Sequence, residues 1–480
     1  MPEFEAVIGL EVHAELLTHS KMFCGCSTRF GEPPNTQTCP ICLGMPGVLP
    51  VINRRAVEFG LRTALAIHCG VPPMSRFARK NYFYPDLPKA YQISQYELPL
   101  SEHGFVLFAV EGRTARVGIR RVHLEEDTGK LVHAGVMETA ESSLVDYNRS
   151  GVPLMEIVSD PDLRTPEEAA EYLRHLRAIL VYLDVCDGNM EEGSFRCDAN
   201  VSIRPAGSLA LGTKVEVKNM NSFKNVQKAL AYEIRRQIRA VQDGETLIQE
   251  TRLWNADQEI TLSMRSKEFA HDYRYFPDPD LVPLAIAPAW LDEIRRGLPE
   301  LPEAKRARFV REFGIPEYDA GVLTSSRELA SYYEACLRAH HDPKTVSNWV
   351  MVELLGRLNK DGKGIAESPI TPERLGALLD VMAKGAISGK MGKEFFEAMY
   401  ASGADPSALL KEKGGQITDA VELESIVSGI LAKHPGPVAE YRGGKEGAFN
   451  FLVGQVMKGT KGKANPKLVT ELLKKLLAAG

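Results

Sequence analysis

The chain has 480 residues, too many for one compact core, so roughly two to four domains are expected. Its composition, 44% hydrophobic and 25% charged, is that of a folding chain and excludes a disordered one. The net charge of −5 gives no global sign of nucleic-acid binding, but residues 404–480 carry 11 basic and 8 acidic side chains, so only that end is expected to touch a polyanion.

The first residues, Met1-Pro2-Glu3-Phe4-Glu5, lack the basic segment and apolar run of a targeting peptide, and no stretch is long and apolar enough to span a bilayer. A soluble, cytoplasmic protein without membrane contact is expected. Val7 to Leu16 alternates as a strand, with Ile8, Leu10 and Val12 on one face and Glu11, His13 and Glu15 on the other. Two carboxylates flanking an imidazole are costly unless a cation or solvent relieves them.

Two cysteine pairs follow, Cys24-Gly25-Cys26 and Cys39-Pro40-Ile41-Cys42, twelve residues apart. Four thiolates in short-spaced pairs suit tetrahedral Zn²⁺ in a closed, structural site. Two disulfides or four free thiols are the alternatives. Cys69, Cys186, Cys197 and Cys336 are scattered, as in a reducing compartment.

Lys80 to Lys89 mixes cations and aromatics, suited to a phosphate or a base, and Arg265 to Lys267 and His271 to Pro277 have the same character. Strands are expected over Ala115 to Asp127, ending in the acidic run Glu125-Glu126-Asp127, over Phe195 to Arg204 and over Thr213 to Lys218. Asp198, Asn200 and Arg204 share a polar face with Arg196 and Ser202, and Lys214, Glu216 and Lys218 form another. These faces are either the solvated sides of half-buried sheets or an oxygen-rich site for Mg²⁺ or Mn²⁺.

Two helices interrupt the strands. One starts at the capping box Thr165-Pro166-Glu167-Glu168, and the other follows Ser222 with Val226, Leu230, Ile234, Ile238 and Val241 on its packing stripe. Helices are then expected over Ser325 to His340, over Thr345 to Leu358 and from Thr371. The division expected is a β-rich domain over 1–293, a helical domain over 294–405 and a helical tail over 406–480. No P-loop and no glycine-rich dinucleotide fingerprint is present.

Taken in order, these motifs resemble the B subunit of glutamyl/aspartyl-tRNA amidotransferases. They include Ile8-Gly9-Leu10-Glu11-Val12-His13, both cysteine pairs, Lys80 to Lys89, His123-Leu124-Glu125-Glu126-Asp127 and Asp146 to Ile157. Phe195 to Asn200, Glu216 to Phe223 and Tyr273 to Pro277 continue the match, and Gly462-Lys463-Ala464-Asn465-Pro466 resembles a YqeY-like tail.

The resemblance implies an α+β chain, with a mostly antiparallel cradle-like catalytic domain followed by all-α domains. It implies ATP-dependent phosphorylation of the side-chain carboxylate of mischarged Glu-tRNA(Gln) or Asp-tRNA(Asn), then amidation by ammonia. Catalysis would fall to Glu11, His13, Lys80 and Glu125. Mg²⁺ would sit among Glu11, His13, Glu125, Glu126, Asp198, Asn200 and Glu216. Lys80, Tyr82, Arg204, Lys214 and Lys218 would meet ATP or phosphate, Cys24, Cys26, Cys39 and Cys42 would hold structural Zn²⁺, and Lys458, Lys461, Lys463 and Lys467 would meet tRNA. The chain contains no Gly-Gly-Ser-Ser-Gly-Gly amidase motif, so an amidase A subunit and a small C subunit are the implied partners. The competing reading is a zinc-stabilised, non-catalytic tRNA-binding scaffold, which has no need of an acidic strand face.

Overall fold

A computed structural model describes residues 3–133, 142–264, 272–417, 419–460 and 462–478. The chain divides into two compact units, 1–301 and 302–480. Arg265, Ser266, Lys267, His271 and Lys461 lie outside the described residues.

The first unit is built on an eight-stranded sheet. Its strands are β1 (Phe4–Glu15), β2 (Ser101–Val110), β3 (Arg113–Glu126), β4 (Pro153–Ser159), β5 (Phe195–Pro205), β6 (Val215–Lys218), β7 (Thr251–Asn255) and β8 (Ile260–Ser263). They lie in the order β8-β7-β6-β5-β1-β4-β3-β2. Only β6 and β7 run parallel; the other neighbours are antiparallel. Alternate residues of the central strands, Ile8, Leu10, Val12 and Ala14 together with Phe195, Cys197, Ala199 and Val201, point into the core. Helices α1 (Arg54–Ala66), α2 (Pro166–Tyr182) and α3 (Phe223–Gln242) complete that apolar core.

The expected helix starts are present, with two differences of detail. Thr165 caps α2 by accepting from the Glu168 amide, but the Glu168 carboxylate reaches back to the amide of Arg164, one residue before the cap. The buried face of α3 is rotated from the expected aliphatic stripe and includes Glu233 and Gln237. Glu233 is wholly buried because Arg236 (2.6 Å) and Thr261 (2.8 Å) donate to its carboxylate, which offsets its desolvation.

A small sheet formed by Phe276–Pro277, Ala78–Asn81 and Tyr91–Ser94 meets the end of β3. The Gln92 side chain donates to the Glu126 carbonyl at 2.7 Å, and the Leu124 amide donates to Gln95 at 2.9 Å.

In the second unit, helices from Pro302 to Lys413 share one core around Phe309, Tyr333, Leu354, Leu378 and Phe396. The expected helix near 345–358 is present but contains a π turn over Trp349–Leu354. A separate core of Leu423, Val427, Leu452, Val456, Val469 and Leu473 holds the last helices. Among the described residues no helix is long and apolar enough to cross a membrane.

Candidate functional site

The face of the sheet opposite the apolar core is polar because alternate residues of four strands coincide in register. Arg196, His13, Glu156 and His123 are direct partners across β5, β1, β4 and β3. Glu125 stands one pleat further along β3. His13 Nε2 lies 3.8 Å from Glu125 and 3.7 Å from Glu156, and His123 Nε2 lies 3.0 Å from Glu156 and 3.8 Å from Glu125. One ligand atom from each of His13, Glu125 and Glu156 falls within 4.8 Å of the others. Two carboxylates and an imidazole fit a hard divalent cation that keeps some of its water. Burial alone would raise the Glu156 carboxyl; His123, His13 and Lys80 outweigh it and hold the group well below the usual carboxylate range.

This cluster opens into a cavity of about 270 Å³ lined by His13, Lys80, Tyr82, Glu125, Arg196 and Asp198, among others. The Lys80 ammonium stands over the rings of Tyr273 (4.9 Å) and Tyr82 (5.7 Å). Burial, with Glu125 and Asp86 nearby, raises the Tyr82 hydroxyl and keeps it protonated as a donor. On the wall, Arg196 donates to Asp127 at 2.9 Å and approaches Glu15 at 3.4 Å. Burial and then Asp127 push the Glu15 carboxyl up to about 8, while Arg196 and Arg149 outweigh burial and keep Asp127 low.

The expected site residues do not all converge. Glu11 belongs to the same face but accepts from Asn200 at 3.0 Å, outside the tight cluster. Its carboxyl is raised by burial and by Glu156. Asp198 and Glu216 are bound by Lys218, at 2.6 and 3.1 Å, so Lys218 neutralises carboxylates there. Lys214 lines a second cavity of about 250 Å³ further along the face, with Gly9, Glu11, Arg120, Asn200 and Ser202.

Arg204 lines neither cavity and is paired with Glu5 at 2.6 Å. Glu126, expected among the metal ligands, turns to the opposite face, as the period of a strand requires of Glu125's neighbour. There it is buried, bonded to Lys89 and to the Ile93 amide. Glu156 and His123 carried no assigned role from the sequence. The available signal for Glu156 was a lone carboxylate in the otherwise apolar run Pro153–Ser159.

A ligand atom from each of Cys24, Cys26, Cys39 and Cys42 lies within 4.8 Å of the others, and the Sγ atoms of Cys39 and Cys42 are 3.9 Å apart. Tetrahedral Zn–S bonds of about 2.3 Å place sulfurs about 3.8 Å apart, so the four side chains fit zinc. The hydrogen bond with Cys24, with the Cys39 amide and Lys21 assisting, outweighs burial and brings the Cys42 thiol down to about 5. Gly44, at φ +66°, closes the loop against Lys89. In the tail, Lys458 and Lys467 are exposed, and Lys463 donates to the Lys413 carbonyl at 2.7 Å.

Comparison with known proteins adds a lineage to this geometry. Residues 6–292 match the GatB/GatE catalytic domain model, and residues 331–477 match the GatB domain model. The chain is similar to the B subunit of the aspartyl/glutamyl-tRNA(Asn/Gln) amidotransferase of Carboxydothermus hydrogenoformans, 57% identical over 479 residues and all of both chains. The proteins of that name from Geotalea daltonii and Geobacter sulfurreducens are 57% and 56% identical, over 99% of each chain.

Proposed function

The chain belongs to the GatB family, the B subunits of aspartyl/glutamyl-tRNA amidotransferases, and on that premise we propose that it performs the ATP-dependent half of the amidation. A side-chain carboxylate of Glu or Asp esterified to tRNA is a poor acyl donor because oxide is a poor leaving group. Attack of that carboxylate oxygen on the γ-phosphorus of ATP releases ADP and gives an acyl phosphate. Ammonia then attacks the acyl carbon, and inorganic phosphate leaves with the former carboxylate oxygen.

The reading is carried by the convergence of His13, Glu125 and Glu156, of which His13 and Glu125 line an open cavity together with Lys80. A divalent cation held by these three would offset the repulsion between the anionic acceptor and the γ-phosphate. Lys80 supplies a fixed positive charge at the same place, and the Tyr82 hydroxyl donates a hydrogen bond. Arg196, anchored by Asp127 and Glu15, fixes the cavity wall. The second cavity, with Lys214 and Arg120, offers a further anion contact along the same face.

Ammonia comes from an amidase A subunit, in a complex completed by a small C subunit, and reaches the acyl phosphate without crossing bulk water, which would hydrolyse it. Lys458, Lys463 and Lys467 of the tail bind tRNA phosphates, reading charge and shape more than sequence. The four cysteines hold a structural Zn²⁺ whose closed shell takes no part in the chemistry.

The experiment is ATP hydrolysis by the assembled three-subunit enzyme. Hydrolysis should depend on mischarged tRNA and be lost in His13→Ala. Hydrolysis that is indifferent to both tRNA and His13 would return the chain to the scaffold reading.

A further inference from the structure

Lys21 is buried, with 1% of its surface exposed, just ahead of the cysteine loop. A buried ammonium normally sits on a carboxylate, because an uncompensated charge in the interior is costly. The polar contacts of Lys21 Nζ are Cys42 Sγ at 3.7 Å and the Tyr147 carbonyl at 3.3 Å, and among the described residues no acidic side chain is paired with it. The segment around it is fixed on both sides: its own amide donates to the Cys26 carbonyl at 3.0 Å, and the Met22 amide donates to Gly151 at 2.8 Å. Gly151 has φ +86°, and a Cβ there would lie 3.4 Å from both Cys42 Cβ and Lys21 Cδ. The stem of Lys21 therefore runs past Gly151 to the sulfur, along a small cavity that it lines with Cys24, Cys42 and Glu126, the last already bonded to Lys89.

We propose that Lys21 is the counter-ion of the tetrathiolate centre, its ammonium offsetting one of the two net negative charges of four thiolates and one Zn²⁺ and fastening Cys42 as the anchoring ligand. The inference rests on the reading of the four cysteines as a zinc site. It explains why a lysine is tolerated in the interior: the metal–thiolate complex is the anion that its burial requires. Cys42 is also the sulfur that receives the Cys39 amide, at 3.2 Å, so two donors converge on one thiolate. Through Tyr147 the same ammonium reaches the turn that carries Arg149, whose Nε lies 3.6 Å from Asp127 on the wall of the cation cavity. Lys21 is thus a positioning residue that joins the zinc loop to the catalytic face.

The test begins with zinc content, by elemental analysis, of the full chain in its assembled complex. One zinc per wild-type chain upholds the zinc reading; none sinks that reading and this proposal with it, before any variant is compared. Zinc release into excess chelator is then followed for wild type, Lys21→Met and Lys21→Arg. Lys21→Met keeps the stem and removes the charge, so release should accelerate about tenfold or more, as for other residues that support metal ligands, while Lys21→Arg retains zinc longer than Lys21→Met. Release from Lys21→Met at the wild-type rate overturns the proposal. If Lys21→Met does not fold, the wild-type protein decides. During partial zinc stripping Cys42 should be the slowest of the four cysteines to react with iodoacetamide, and labelling of Cys42 as fast as Cys24 overturns the proposal.

Discussion

Gly44→Ala puts the contact between the cysteine loop and the strand β3 to a quantitative test. Gly44 adopts φ +66°, and a Cβ there would come within 2.2 Å of Lys89 Cγ and 3.1 Å of Lys89 Cα, so rotating the side chain does not clear it. The left-handed backbone alone costs an alanine about 1–2 kcal/mol. Moving Lys89 also separates it from Glu126, a pair in which the side chains are 7% and 4% exposed. Breaking a buried pair and leaving one charge behind costs about 3–5 kcal/mol.

Gly47 is the control, since it has φ +87° and nothing within 4 Å of its ideal Cβ. Gly47→Ala should show only the backbone cost, and Gly44→Ala should be less stable by a further amount of about 3–5 kcal/mol. Urea denaturation of the zinc-loaded full chain, followed at the transition of the first unit, measures the difference. Equal destabilisation by the two substitutions would refute the claim that the loop acts on β3 through Lys89 and Glu126.

Three more outcomes follow from the site and the tail. His13→Ala, Glu125→Ala and Glu156→Gln should each abolish amide formation by the assembled enzyme while its glutamine hydrolysis survives at least in part, and equal loss of both reactions would mean structural collapse. Glu15, raised from 4.5 to about 8, binds its proton more tightly folded than unfolded. The folded state therefore holds the extra proton between those values, and stability should fall as pH rises through that window and level off above it. Glu15→Gln should flatten this slope in a pH series of denaturant midpoints, and an unchanged slope removes Glu15 as its source. Deleting the residues after Lys413, where the core of the preceding helices ends, should weaken tRNA binding strongly, and reversing the charge of Lys458 and Lys467 should lower the log–log salt slope by about 1 for each phosphate no longer neutralised, whereas an unchanged slope excludes these lysines from the interface.

Much of the candidate site's polar face was legible in the sequence because a strand's period of two is local. Alternation alone put Glu11, His13 and Glu15 on one face, and Asp198 and Asn200 on another. The same rule was there to separate Glu125 from Glu126, and the acidic run obscured it. Glu156 was illegible for a different reason: its place beside His13 comes from the register of β4 between β1 and β3, which no local pattern specifies. The pairing of Lys218 with Asp198 and Glu216 is likewise a matter of cross-strand register, so a cation expected to meet phosphate is engaged within the sheet. The cap at Thr165 was readable from residue type, whereas the burial of Glu233 on α3 depends on Arg236 and Thr261 and overrides the aliphatic stripe. Cysteine spacing foretold the gathering of four sulfurs; the buried Lys21 beside them had no sequence signal.

The central claim is that this chain's cavity converts a carboxylate to an acyl phosphate, and the fate of the carboxylate oxygens tests it most directly. The assembled enzyme is given tRNA carrying glutamate labelled with ¹⁸O in its side-chain carboxylate, together with ATP and glutamine, and the released phosphate is analysed by mass spectrometry. The account predicts one ¹⁸O in the inorganic phosphate for each amide formed. Amide formation with no label in the phosphate would contradict it.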